Sequence, residues 1–354
     1  MIPSLESLTA PWLTDCLRSN GCGDVVVSAV RSRPIGTGQT AGCARIEIDY
    51  AAGAPAAPRS LVAKYPSADA QSRGTAVAMG LHRREVEFYR DVAPRLSIRL
   101  PHCYFLDVDD AGENFLILME DLAPARPGDQ LAGCSAAVAR AAVLELVGLQ
   151  APTWCDATLG ARFAEPEDGV FSDMAGLYRR MLPEFVARYG AALDAAELDV
   201  IERLGDSPRA PLFAPVGRPF CLEHRDYRLD NLMIDESCTP PRVTVVDWQG
   251  MRTGRPLNDV ALCLAGGLEP EVRRQVEQDV LRDYHRALLA AGVAGFSWDA
   301  CWHEYRRAAF AGFGLTVIAS VAVARTERGD AMFIAMARRY ARHAVDLRAD
   351  ELLR

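Results

Sequence analysis

The run His224-Arg225-Asp226-Tyr227-Arg228-Leu229-Asp230-Asn231, followed sixteen residues later by Asp247 in RVTVVDWQG, constrains this chain more than any other feature. It fits H-x-D-x-x-x-x-N and lies inside a β-like stretch from Phe220 to Trp248. The segment between Asp226 and Asn231 is long enough to turn the chain, so both side chains can face one site. The apolar strand before Asp247 would bring a second carboxylate there. Alone, an Asp or an Asn is ordinary turn or capping chemistry. Together they are one carboxylate to accept or orient a hydroxyl and further oxygen ligands for magnesium, the demands of phosphoryl transfer.

The texture of the chain divides it in two. From Asp24 to Pro66, VVVSAV, CARIEIDY and RSLVAKY alternate as a short antiparallel meander between Gly, Pro and Ala stretches. A helix with Leu81, Glu85 and Phe88 on one face follows, then strands at Cys103–Val108 and Phe115–Met119. Beyond Leu122 a linker (APARPGDQ) opens into mostly helical sequence, which places a domain boundary near Ala123 to Gln130. The expected architecture is α+β, a small mixed N-terminal lobe (1–122) with an antiparallel sheet and a larger, mainly helical C-terminal lobe (123–354).

The 39 basic residues include one lysine, Lys64. Arginine keeps the charge but presents a planar fork, so a site built around a compact ammonium resists the exchange. A surface lysine left by chance is the plain alternative. Glu85 shares the face of Leu81 and Phe88, whereas Glu87 lies among arginines, so Glu85 is the inward carboxylate of that helix; a surface pair with Arg84 or Arg90 is the other reading.

On these motifs the chain resembles the aminoglycoside phosphotransferase, choline kinase and ecdysteroid-kinase-like superfamily, which has the protein-kinase-like bilobal fold. PIGTGQTAGCARIEIDY is similar to the family's nucleotide-covering hairpin, SLVAKYP to its phosphate-binding lysine strand, REVEFYRDVAP to the helix whose glutamate pairs that lysine, and FLILMEDLAP to its hinge. The resemblance implies a magnesium-bound ATP or GTP as co-substrate. It further implies Lys64 on the α- and β-phosphates, Glu85 holding Lys64, Gly36 and Gly38 in the covering hairpin, and the Glu120 carbonyl and Leu122 amide on the base. Asp226 becomes the catalytic base, with Asn231 and Asp247 on magnesium. Gly36, Gly38 and Gly42 depart from G-x-G-x-x-G by one residue and equally suit a plain turn. Asp259 in GRPLNDVALCL either steadies the catalytic loop or caps a helix. Gln150 stands where relatives often carry histidine and receives no role.

The close rival, a protein kinase, has too little room: twelve residues separate Asp247 from Asp259, Trp248-Gln249 replaces Phe-Gly, and no A-P-E follows. The expected activity is therefore that of a phosphotransferase with a small-molecule alcohol as acceptor. A catalytically silent nucleotide-binding scaffold is the rival from another class, and an antibiotic phosphotransferase the rival substrate. For a polycationic antibiotic the acidic candidates are Glu269, Glu271, Glu277 and Asp279; such residues also simply face water. Trp302, Tyr305, Phe310 and Phe313 could line an apolar acceptor pocket or the core.

The net charge of −8 argues against a nucleic-acid surface. The N-terminus lacks the basic and apolar regions of a signal peptide, and the ten scattered cysteines suit reduced thiols, so a cytoplasmic location is expected. Ala308 to Ala324 is uncharged but short of the ~20 residues of a membrane span, and reads as a buried helix.

Overall fold

The computed structural model describes residues 2–36, 40–51, 57–167, 169, 171–207 and 210–353. They form two compact units, one of residues 1–95, 100–124 and 246–250, the other of 96–99, 125–245 and 251–354.

The first unit is built on a five-stranded antiparallel sheet, β1 (Val27–Ile35), β2 (Ala41–Tyr50), β3 (Ser60–Pro66), β4 (Cys103–Val108) and β5 (Phe115–Glu120), in the order β1-β2-β3-β5-β4. Alternation decides its faces. Ala44, Ile46, Ile48, Leu61, Ala63, Leu116 and Leu118 are buried with Leu13, Cys16 and Leu17 of an N-terminal helix, α1 (Ala10–Ser19). The sequence reading had no helix here, although Thr9 at the N-cap, Pro11 in the first turn and the 13/16/17 spacing all mark one. The opposite face of the sheet carries Lys64. Two short helices, α2 (Ala70–Ala78) and α3 (Leu81–Glu87), complete the unit; α3 continues into a π turn at Phe88–Val92.

The second unit is mainly helical, with two small sheets. β6 (Arg126–Pro127), β8 (Leu232–Asp235) and β9 (Arg242–Val245) form one, and β7 (Cys221–Glu223) with β10 (Arg252–Gly254) the other. The expected single helix over Ala308 to Ala324 is instead broken into Ala311–Phe313, a π turn at Gly314–Ala319 and Ser320–Ala322. Thr316 back-bonds to the Gly312 and Phe313 carbonyls, and Ser320 to that of Val317, contacts that bend helices. A Cβ at Gly312 would lie 2.4 Å from the Tyr340 ring, so glycine permits this close approach. Tyr305, Phe310 and Phe313 are fully buried, which makes these three of the aromatic stripe core, while Trp302 is half-buried. No helix among the described residues is long and apolar enough to cross a membrane.

One buried cluster in this unit is sensitive to acid. Arg273 is fully buried, pairs with Glu277 at 2.7 Å and also with Asp346, and Tyr305 donates to Glu277 at 3.2 Å. His343 lies against them with its Nε2 3.7 Å from Glu277, and among the described residues neither ring nitrogen has a hydrogen-bond partner. Burial, aided by the Arg273 charge, holds its pKa well below the ordinary 6.5. The ring is neutral when folded, so below about pH 6.5 the unfolded chain takes up the proton first and stability falls with pH. Relative to His343→Leu, the wild type should lose about 1.4 kcal/mol per pH unit below that point. Denaturant midpoints of the two proteins between pH 7.5 and 5 would measure the difference.

Candidate active site

Lys64 lies on β3, and its ammonium is buried between two carboxylates, 2.5 Å from Glu85 Oε2 and 2.9 Å from Asp247 Oδ1. Glu85 comes from α3, on the inward face that Leu81 and Phe88 share. Its second oxygen accepts the Trp248 amide at 3.3 Å, Trp248 stacks on Phe88 at 3.9 Å, and Arg84 donates to the Gln249 carbonyl at 2.7 Å. Helix α3 and the segment around Asp247 are thereby fastened together. Burial opposes the Lys64 charge, but Asp247 and Glu85 outweigh it and raise its pKa, so the ammonium persists. Burial pushes the Glu85 carboxyl upward against the pull of Lys64. Asp247 has φ +67°, a left-handed backbone that non-glycine residues hold at about 1–3 kcal/mol where their surroundings enforce it.

Around this cluster the glycines differ in their reasons. Gly36 closes β1 with φ +72° and open space where a Cβ would be, so its requirement is conformational. Gly38 lies outside the described residues. At Gly42 a Cβ would stand 2.6 Å from the Tyr65 ring, which therefore needs a glycine beneath it. Glu120 ends β5; its amide donates to the His102 carbonyl at 2.8 Å and its carboxylate accepts the His102 amide at 3.2 Å. Leu122, half-buried, follows two residues later.

The second unit assembles the other candidates. Asp226 accepts the Arg228 Nε on Oδ1 at 2.9 Å and the Asn231 amide on Oδ2 at 2.8 Å. With its nitrogen committed to Asp226, Asn231 has its carbonyl oxygen to offer a cation. The loop rests on buried supports. Asp259, fully buried, accepts the His224 amide at 2.6 Å and the Arg225 amide at 3.0 Å. It therefore steadies the His224–Asn231 loop rather than capping the helix Leu257–Gly267, in whose first turn it sits. Gln130, also fully buried, accepts the Leu229 amide at 2.8 Å and donates to the Gly266 carbonyl at 2.9 Å, while Tyr227 donates to the Ala142 carbonyl at 2.8 Å. Gln150 is structural, bonded to the Pro256 carbonyl at 2.7 Å and to Tyr284 at 2.5 Å. Of these, Gln130 and Arg228 escaped the sequence reading: Gln130 lies in the linker with no pattern around it, and Arg228 was one of the variable positions of the motif.

A sequence profile of the phosphotransferase enzyme family, APH, matches residues 69–296. The chain belongs to that family. The fold of this phosphotransferase is similar to that of aminoglycoside 2'-phosphotransferase-IIIa in its GDP complex, with 13% identity and a TM-score of 0.54 over 94% of this chain and 98% of that one. It is also similar to that of choline kinase from Cryptosporidium parvum Iowa II, with 11% identity and a TM-score of 0.56 over 92% and 91%. At such identity the likeness is one of fold. No curated protein matches the phosphotransferase in sequence. The protein-kinase-like α+β fold anticipated from the motifs is thus the one the chain adopts.

The support from Asp259 has a measurable consequence. Asp259→Ala leaves the buried His224 amide and the part-buried Arg225 amide without their acceptor; at about 1–3 kcal/mol for the buried group and less for the other, the variant should lose about 2–4 kcal/mol in urea unfolding. Asp259→Asn, which keeps one acceptor oxygen, should lose less.

Proposed function

We propose that this phosphotransferase is a small-molecule kinase that moves the γ-phosphoryl of magnesium-bound ATP or GTP directly onto the hydroxyl of a small alcohol. The observation that carries the reading is the only lysine of the chain, buried and ion-paired with Glu85 and Asp247. A lysine left by chance would sit on the surface. In this reading residues 1–122 bind the nucleotide and 123–354 supply catalysis and the acceptor site. Lys64, held by Glu85, takes the α- and β-phosphates as a point charge. Gly36 and Gly38 belong to the hairpin over them, and the Glu120 carbonyl and Leu122 amide meet the base edge.

Among the described residues no three acidic, histidine or cysteine side chains form a ready-made metal cage. Magnesium uses one or two protein carboxylates or amides and completes its shell with water and substrate phosphate. Asp247, whose carboxylate is one-third exposed, and the Asn231 carbonyl oxygen would hold it. When bound with the nucleotide, magnesium neutralises phosphate charge. Asp226, fixed by Arg228 and Asn231, orients the acceptor hydroxyl and takes its proton. The acceptor oxygen bonds to the γ-phosphorus as the bond to the bridging oxygen breaks, and the nucleoside diphosphate leaves.

An antibiotic acceptor draws little support from the acidic residues offered for it. Glu269 is paired with Arg339, Glu271 with Arg274 and Glu277 with Arg273, and Asp279 is exposed. A silent scaffold is disfavoured because the lysine, the base and both candidate metal ligands are all present. The discriminating variant is Asp226→Asn. Nucleotide affinity should stay within about twofold, while formation of nucleoside diphosphate in an alcohol screen should fall about 10²–10⁴-fold. Full turnover in the variant would remove Asp226 as the base.

A further inference from the structure

The face of the first unit's sheet that carries Lys64 is laid out in rows across the strands. In one row Ile35, Cys43, Lys64 and Ile117 are register partners; in the next Arg33, Arg45, Val62 and Met119. The second row is two residues along β3, about 6.6–6.8 Å from Lys64, in the direction away from Pro66. Val62 and Arg45 are half-buried there, while Ala44, Ile46, Leu61 and Ala63 on the opposite face are fully covered.

Arg45 does not extend into solvent as an arginine on an open strand would. Its Nη2 donates to Asp121 Oδ1 at 3.0 Å, and its Nε lies 2.6 Å from Oδ2, off the hydrogen-bond axis. Ser60 donates to the same carboxylate at 2.6 Å, and the Ala123 amide approaches it at 3.3 Å. The Asp121 side chain is only 6% exposed. Against the cost of burial, Ser60 and Arg45 hold its pKa below the ordinary carboxylate value, so the clamp stays charged at neutral pH. Asp121 sits between Glu120 and Leu122, the two residues assigned to the base edge. A planar guanidinium is therefore pinned beside that segment, one row from the phosphate-binding lysine, with an aliphatic side chain and a thioether continuing the row.

We infer that Arg45, clamped by Asp121 and Ser60, is the base-binding residue of this phosphotransferase, its guanidinium plane stacking on the purine of the nucleoside triphosphate. The inference rests on the nucleotide reading above and goes beyond it by assigning the base a cationic platform. Guanidinium planes stack well on nucleobases and are weakly hydrated, so little is lost on covering one. Because Asp121 neutralises it, Arg45 adds little to the pull on the phosphates, and its contribution should depend on the base.

The test is calorimetric titration of the full chain with magnesium ATP, magnesium GTP and inorganic tripolyphosphate. Stacking of a base contributes about 1–3 kcal/mol, so Arg45→Ala should weaken the nucleoside triphosphate that the wild type prefers by about 5- to 150-fold. Tripolyphosphate affinity should stay within about twofold. Arg45→Gln, which keeps a planar group and much of the length, guards against a folding defect and should show a smaller loss of the same kind. Equal weakening for tripolyphosphate would make Arg45 a phosphate ligand and overturn the inference, as would unchanged nucleotide affinity in both variants. Wild-type protein that binds tripolyphosphate but gains nothing from the base would overturn it while leaving the Lys64 reading intact. Wild type that binds none of the three would overturn the nucleotide reading and this inference with it.

Discussion

A buried ammonium must be neutralised where it lies, and the first unit is organised around that requirement. Lys64 on β3 draws Glu85 from α3 and Asp247 from a segment distant in sequence. One cation then faces two carboxylates. That arrangement keeps the lysine charged and leaves one unit of negative charge over, which suits a cation arriving with a nucleotide. The left-handed backbone at Asp247 persists because the Trp248 amide is tied to Glu85 and the indole is stacked on Phe88. The packing of α3 and the charge of the site are one construction.

The second unit meets a different demand, holding a short loop whose one regular element is the 3-10 turn Leu229–Asn231. It does so by satisfying the loop's main chain with buried side chains. Asp259 takes two consecutive amides, Gln130 takes another, and Tyr227 anchors the middle of the loop to a helix carbonyl. Arg225 has φ +69°, and its guanidinium pairs with Glu165 at 2.8 Å. The consequence is that both oxygens of Asp226 accept hydrogen bonds from the loop's own side chains, so the carboxylate is held in place.

Much of this was legible in the sequence because the signals were local and redundant. The strands expected at Cys103–Val108 and Phe115–Met119 are found at Cys103–Val108 and Phe115–Glu120, the second as a continuous buried apolar run, and Glu85 over Glu87 follows from helix periodicity. The motif spacing brought Asp226 and Asn231 together correctly. Other features were hidden because they depend on partners far along the chain. Whether Asp259 capped a helix or braced a loop turned on where its carboxylate pointed. Gln130 sat in a linker with no periodicity, and the break after Ala308 goes with the back-bonding of Thr316 and Ser320 and with Gly312 lying close beneath the Tyr340 ring. The missed α1 is different: its cap and its apolar spacing were there to be read.

The central claim is that Asp247 and Lys64 serve a magnesium-bound nucleotide. Thermal unfolding with ATP or GTP, with and without magnesium, on wild type and Asp247→Asn tests it most directly, since a ligand of the native state raises its stability. Asparagine tolerates the left-handed backbone, so the substitution changes the charge with little strain. The account predicts a magnesium-dependent rise in the wild-type midpoint that the variant lacks. No rise with either nucleotide, or an equal magnesium-dependent rise in the variant, would contradict it.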